Sequence, residues 1–251
     1  MKVFIAGGTS GIGLALAERY LQQGASVAVC GRDLTKMEEI PFVDQLRCFE
    51  VDVCRLDDLQ DAVSSFRTEG PLSLFINCTG SYADDVARQI SYQEALAMLQ
   101  VNMMGALNCF EVARAAMEGQ SEGQVVVVAS VSGTLHFPNS SLYSKTKRAA
   151  IQIADAYRRA LIPFGIAVTV IAPGYMDTEK LREINRQDLS KKPFLISVDD
   201  AAQRIMIAIQ QRKKLVIFPK RMKWLMACLG ILPNVLLNKI MSRKAQWMKN
   251  D

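Results

Sequence analysis

The strongest constraint on this chain is an alternation. Short, almost continuously apolar runs (Lys2–Ala6, Ser26–Cys30, Arg47–Val51, Leu72–Asn77, Gln124–Ala129, Ala167–Ile171 and Lys214–Phe218) are separated by helical spacing near 11–23, 56–67, 91–118, 141–162 and 199–211. Strands are this uniformly apolar when both of their faces are covered. Strand followed by helix, repeated, predicts an α/β fold: a doubly wound parallel sheet of about seven strands with helices on both faces. The pattern is complete at Phe218. It predicts a single domain over 1–219 and a helical extension over 220–251.

The first strand runs directly into Gly7-Gly8-Thr9-Ser10-Gly11-Ile12-Gly13, and a helix follows. Glycines there let the main chain turn sharply and approach a pyrophosphate, and the helix N-terminus offers amide donors and the positive end of its dipole. At the end of the second strand, an acidic residue would bind the adenosine ribose of NAD, whereas an arginine would accept the 2′-phosphate of NADP. Cys30 is followed by Gly31-Arg32-Asp33, with no carboxylate at the strand end and a guanidinium fork next to it. NADP(H) is favoured over NAD(H). The bland alternative is a solvated Arg32 paired with Asp33.

Tyr143 and Lys147, in Tyr143-Ser144-Lys145-Thr146-Lys147, share one face of a predicted helix. A phenol of pKa about 10 is a poor base at neutral pH, and a neighbouring ammonium lowers that value. Such a pair can give a proton to a carbonyl oxygen or take one from an alcohol. Ser130 follows an apolar run, at the carboxyl edge of the expected sheet. Taken alone, Tyr143 and Lys147 fit an ordinary amphipathic helix and Ser130 fits a turn.

Together these residues resemble the short-chain dehydrogenase/reductase family, whose fold is of Rossmann type. Gly7-x-x-x-Gly11-Ile12-Gly13 is similar to its cofactor loop, Asp52-Val53 to its adenine-contacting pair, and Asn77-Cys78-Thr79-Gly80 to its Asn-Asn-Ala-Gly signature. Asn102 matches its helix asparagine, Ser130, Tyr143 and Lys147 its active-site set, and Pro173-Gly174 with Thr178 its nicotinamide-side motif. The resemblance implies a carbonyl reductase or alcohol dehydrogenase of about 250 residues. In it Tyr143 donates the proton, Lys147 lowers the Tyr143 pKa and binds the nicotinamide ribose, Ser130 holds the carbonyl oxygen, and Asn102 holds a water of a proton relay. Its cofactor contacts carry over to Gly7, Thr9, Ser10, Gly11, Ile12, Gly13, Arg32, Asp52, Val53, Asn77, Gly80, Tyr143, Lys147, Pro173, Gly174 and Thr178. The family form also implies a homodimer or homotetramer, joined through the helices at 91–118 and 141–162. Two positions depart from the pattern. Ala6 lacks a hydroxyl that braces the cofactor loop, and Cys78-Thr79 replaces Asn-Ala.

Composition narrows the alternatives. One histidine, His136, argues against most mechanisms that need an imidazole base or ligand. Six cysteines without a Cys-x-x-Cys pair suggest reduced thiols in the cytoplasm, with no metal site. The start, MKVFIAGG, is not expected to be a signal peptide, nor is a hydrolase triad or a P-loop expected. The net charge of +5 is uneven: from Arg212 to Asp251 there are ten Lys/Arg and one acid, leaving 20 basic and 24 acidic residues elsewhere. That distribution argues against a nucleic-acid binder. The extension reads as two short helices, about 220–231 and 233–248, broken at Pro233 and too short to span a bilayer. Either they pack on the body, or they attach peripherally to an anionic membrane surface. The substrate expected is a small-molecule carbonyl or alcohol, apolar in character, met by the loop from Tyr175 to about Ser197. The competing function is a catalytically silent NADP-binding regulator or a membrane-surface interaction protein.

Overall fold

The computed structural model describes residues 1–85, 89–136, 138–190, 192–233 and 235–240. Seven strands form one parallel sheet: β1 (Lys2–Ala6), β2 (Ser26–Gly31), β3 (Leu46–Glu50), β4 (Leu74–Asn77), β5 (Gly123–Val128), β6 (Ile166–Pro173) and β9 (Leu215–Phe218), in the order β3-β2-β1-β4-β5-β6-β9. A separate ribbon pairs β7 (Met176–Asp177) with β8 (Ile196–Ser197). The strand order reverses between β1 and β4. Carboxyl ends there splay apart and leave a crevice for a ligand.

Alternate side chains of the buried strands feed two cores. Phe4, Phe75 and Val125 point toward α2 (Leu56–Arg67), α4 (Gly105–Ala116) and α5 (Leu142–Leu161). Val3, Ile5 and Ile76 point toward α1 (Gly11–Gln22) and α7 (Val198–Gln210). The rings of Phe4 and Phe75 stack across β1 and β4 with centroids 5.4 Å apart. Both faces of the sheet are therefore dry, which is why its strands lack the polar alternation of half-exposed ones.

The expected elements form with ends shifted by a residue or two, except the helix read over 91–118. It divides into α3 (Tyr92–Leu99), a π turn (Gln100–Met104) and α4. A π turn inserts one residue into the helical ladder and is frequent at functional sites; the buried residue it carries is Asn102. The segment 92–116 is long and apolar enough to cross a membrane, but in the fold its inner side packs on α2 and α5. The polar stretch 177–192 contains α6 (Glu179–Ile184). In the extension, α8 (Lys220–Ile231) matches the expected first helix. Residues 235–240 are helical, and the rest of the second expected helix, 234 and 241–248, lies outside the described residues.

Candidate active site

The glycine loop closes on itself. Gly7 has a φ of +72°, and a Cβ on Gly13 would lie 2.1 Å from the Gly7 carbonyl oxygen, so neither position admits a side chain. The Ile12 side chain is in the core and contributes only main chain to the loop. Ser10 caps α1 without a side-chain hydrogen bond, and the first turn of α1 carries no acid. The helix end thus presents unspent amides and an uncompensated dipole, which fits a dinucleotide pyrophosphate. Thr178 leans over this loop: its Cγ2 would be 3.7 Å from a Cβ on Gly11. Thr178 also caps α6 by accepting from the Leu181 amide at 3.2 Å. Pro173 ends β6, and the Gly174 amide donates to the Phe218 carbonyl at 2.8 Å, which fixes the start of that segment.

The segment after β3 is held by side chains bonded to main chain. Asp52 accepts from the Cys54 amide at 3.0 Å, and Asn108 donates to the Val53 carbonyl at 2.9 Å. Val53 itself packs in the core. Arg32 is exposed beyond β2, near Cys54 and Lys180. It is not paired with Asp33, whose carboxylate instead accepts from the amide and hydroxyl of Thr35 at 2.8 and 2.7 Å. Burial and the nearby Arg32 lower the Lys180 pKa.

Asn77 Oδ1 accepts from the Thr79 amide at 2.9 Å and from the Thr79 hydroxyl at 2.6 Å, so the threonine that departs from the family pattern bonds the asparagine two residues before it. Asn102 uses its whole side-chain amide on structure: Oδ1 accepts from the Ser81 amide at 2.9 Å, and Nδ2 donates to the Ser81 carbonyl at 2.8 Å and to Thr146 Oγ1 at 3.0 Å.

Ser130, Tyr143 and Lys147 come together at the carboxyl edge of β5. Gly133 allows this: a Cβ there would stand 2.8 Å from the Lys147 carbonyl carbon and the Arg148 amide nitrogen, so the turn after Ser130 can press directly onto α5. Ser130 hydrogen-bonds the Tyr143 phenol, and Ser132 donates to Ser130 Oγ from its amide at 3.2 Å and its hydroxyl at 3.1 Å. Burial pushes the phenol up to about 12, the Ser130 contact opposes that rise, and Tyr175 adds to it. Burial pulls the Lys147 ammonium down to about 8. Its Nζ donates to the carbonyls of Val128 at 3.3 Å and Thr79 at 3.4 Å. This corrects the expectation that Lys147 draws the Tyr143 pKa down. Here main-chain carbonyls hold the ammonium, and desolvation governs the phenol.

On the open side, the Tyr82 ring meets Tyr143 edge-on with centroids 4.9 Å apart, and Asp85 Oδ2 accepts from the Leu142 amide at 2.5 Å. Lys180 Nζ donates to the Gly80 carbonyl at 3.2 Å. His136 is exposed. One Gly-x-Ser-x-Gly does occur, at Gly119–Gly123, but it leads into the amino end of β5, at the opposite edge of the sheet from Ser130. It is therefore no strand-to-helix nucleophile elbow. Sequence reasoning missed Thr79, Tyr82, Asn108, Gly133, Thr146 and Lys180. Of these, Asn108 and Thr146 left a signal, as polar residues on the buried side of helices.

The profile of the short chain dehydrogenase family matches residues 1–189. An uncharacterised oxidoreductase of Staphylococcus aureus (strain MRSA252) is 29% identical over 213 residues, covering 83% of this chain and 90% of that protein. A 3-dehydrosphinganine reductase of Arabidopsis thaliana is 32% identical over 205 residues, covering 78% of this chain and 60% of that protein. Among solved structures, a short chain dehydrogenase from Burkholderia cenocepacia J2315 in complex with NADP superposes with a TM-score of 0.79 at 22% identity, covering 95% of this chain and 96% of the other. Sequence profile, relatives and fold agree, and the chain belongs to the short-chain dehydrogenase family of oxidoreductases.

Proposed function

We propose that this protein is an NADPH-dependent reductase of a carbonyl on an apolar small molecule, working in the cytoplasm as a homodimer or homotetramer. The observation that carries the reading is the Ser130–Tyr143–Lys147 cluster, in which Ser130 hydrogen-bonds the Tyr143 phenol and Lys147 stands one helical turn away on α5. A phenol placed in this way can donate to a carbonyl oxygen in reduction or accept from the matching alcohol in oxidation. A bound nicotinamide cofactor would supply the hydride. Ser130 and the Tyr143 hydroxyl, hydrogen-bonded to each other, would share the carbonyl oxygen. Lys147 would hold the nicotinamide ribose and return the proton to Tyr143. The Asn102 side chain is already committed to Ser81 and Thr146, so it is a positioning group that ties the π turn to α5.

Support for NADP(H) comes from Arg32 and Lys180, two cations near each other at the mouth of the adenine side, with no carboxylate at Gly31. Neighbouring cations favour an anionic ligand such as a 2′-phosphate. The solved relative from Burkholderia was obtained with NADP, as was a second neighbour, ElxO, at 24% identity and a TM-score of 0.76. For the substrate, the apolar preference rests on Tyr82, exposed beside Tyr143, and on Ile184 and Phe194, exposed within the segment 175–197. The Arabidopsis relative is named a 3-dehydrosphinganine reductase. For self-association, the outer side of 92–107 leaves Tyr92, Leu99, Met104 and Leu107 in solvent. Apolar surface of that extent marks an interaction face. Six unpaired thiols suit a reducing compartment. The reading is tested by following NADPH and NADH oxidation side by side with long-chain ketones, ketosteroids, quinones and small aldehydes. Turnover of an apolar ketone with NADPH is expected; turnover confined to NADH or to small polar aldehydes would overturn it.

A further inference from the structure

The helix α8 is apolar on two opposite sides, and only one of them is used. Met222, Met226 and Leu229 recur at i, i+4 and i+7 and face the body, where Leu237 and Leu135 complete the contact. Met222 also closes over Gly174 at the end of β6. On the opposite side Trp224 is 72% exposed and Ile231 is 84% exposed, with exposed Ala227 and Cys228 between them. Beyond Pro233 the apolar surface continues through Val235, Leu236 and Ile240, all exposed. This face does not support the fold and remains in water.

Its charge identifies the occupant. Lys220, Arg221 and Lys223 fill the first turn of α8, which has no acidic residue and no side-chain cap. Cations at that position oppose the helix dipole, an arrangement that becomes favourable when an anionic surface lies against it. Lys220, Arg221, Lys223 and Lys239 form no salt bridge among the described residues. The sequence from 212 to 250 contains no Asp or Glu, and Arg243, Lys244 and Lys249 add to the same sign. A second copy of the chain would bring like charges face to face. Exposed tryptophan and branched aliphatics rimmed by Lys and Arg instead match the interface of an anionic bilayer, with the rings and methyls at the headgroup boundary and the cations among phosphates.

We propose that the outer face of α8, together with 235–240, docks on an anionic lipid bilayer. The inner face rests on Leu135 and Gly174, which belong to the two segments that follow Ser130 and β6 around the site. Docking would therefore turn the substrate opening toward the membrane. The docking itself stands on the extension alone, whichever carbonyl compound the site reduces.

The test is co-sedimentation of the full chain with vesicles of phosphatidylcholine alone and of phosphatidylcholine containing phosphatidylglycerol. Pelleting is expected only with the anionic vesicles, and it should fade as salt is raised. Replacing Lys220 and Arg221 with Gln should lower partition about 25-fold, at about fivefold per charge. Trp224→Ser with Ile231→Ser should remove binding while NADPH affinity and thermal stability stay unchanged, since both side chains are exposed. In a Trp247→Phe background, Trp224 emission should shift to the blue on anionic vesicles. No pelleting at low salt, or equal pelleting of the serine variant, overturns the proposal. A dimer that the serine variant loses would assign the face to a second copy and overturn it as well.

Discussion

Under the dinucleotide groove, Asn77, Asn102 and Lys147 are buried and spend their polar atoms on main chain or on threonine hydroxyls. By contrast, Tyr82, Ile184 and Phe194 leave apolar surface in solvent, and among the described residues the segment from Tyr175 to Ser197 holds only a ribbon of two-residue strands and a six-residue helix. The cofactor side is a lattice in which each group fixes the next. The substrate side is a surface. A buried, fully bonded network responds sharply to the loss of one member, whereas an exposed rim responds weakly and can change its ligand. The two sides should therefore separate in the size and kind of mutational effect.

The largest expected effect is at the junction of the two sides. Tyr143→Phe keeps the ring against Tyr82 but removes the proton, and turnover should fall about 10²–10⁴-fold. NADPH binding, followed by fluorescence titration, should change little. A variant retaining half the wild-type rate would remove Tyr143 from the chemistry.

Arg32→Ala comes next. Loss of a charge-assisted contact to the 2′-phosphate should weaken NADPH about 10–100-fold and leave NADH nearly unchanged. Equal losses for both cofactors would show that Arg32 only shapes the turn. The reverse change is constrained by the lattice. A Cβ at Gly31 would lie 2.5 Å from Thr9 Oγ1, so Gly31→Asp should bring NADH preference only when Thr9 is also made Gly.

Lys147 probes the cofactor side through stability. Its folded pKa, about 8, lies below the ordinary lysine value of 10.5 because the charge is desolvated. The protonated form is thus penalised in the folded state. The penalty is complete below about pH 8, fades between 8 and 10.5 and is absent above. Lys147→Met should abolish turnover yet raise stability at pH 7 by about 1–3 kcal/mol, with the gain shrinking toward pH 10. Wild-type reduction should also decline as pH rises through about 8, as the ammonium is lost. Denaturant melts at pH 7 and pH 10 check the first claim; a gain that does not shrink would mean the variant stabilises by packing alone.

The same division explains what the sequence disclosed. Seven apolar runs became the seven sheet strands because covering both faces leaves no choice of residue, and the glycine loop was legible because Gly13 faces a carbonyl at a distance no Cβ tolerates. Ser130, Tyr143 and Lys147 were identifiable from a linear pattern. Their electrostatics were not, because whether Lys147 acts on Tyr143 depends on which carbonyls reach its Nζ, and those belong to β5 and the Asn77 loop, far away in sequence. The π turn was hidden for a related reason: 91–118 has helical spacing throughout, and the extra residue is stabilised by what Asn102 finds across the fold, at Ser81 and Thr146. Tyr82 carried no local signal, since an aromatic five residues beyond β4 is as easily core as rim.

Tyr82 supplies the smallest and most discriminating expectation. Its ring lies edge-on to Tyr143, an aromatic contact that contributes about 0.5–1.5 kcal/mol beyond buried area. Tyr82→Leu removes that contact but leaves an apolar side chain at the opening. If the rim binds substrate without organising chemistry, KM for an apolar ketone should rise about 2–10-fold, with kcat within about twofold and NADPH affinity unchanged. Because the lost contact touches the phenol ring and not its oxygen, the pH profile should keep its shape. A hundredfold fall in kcat, or a displaced pH profile, would instead place Tyr82 in the lattice with Ser130 and Lys147. In that case the boundary between the rigid and permissive halves would run through the substrate opening itself, and apolar selectivity would have to come from the 175–197 segment alone.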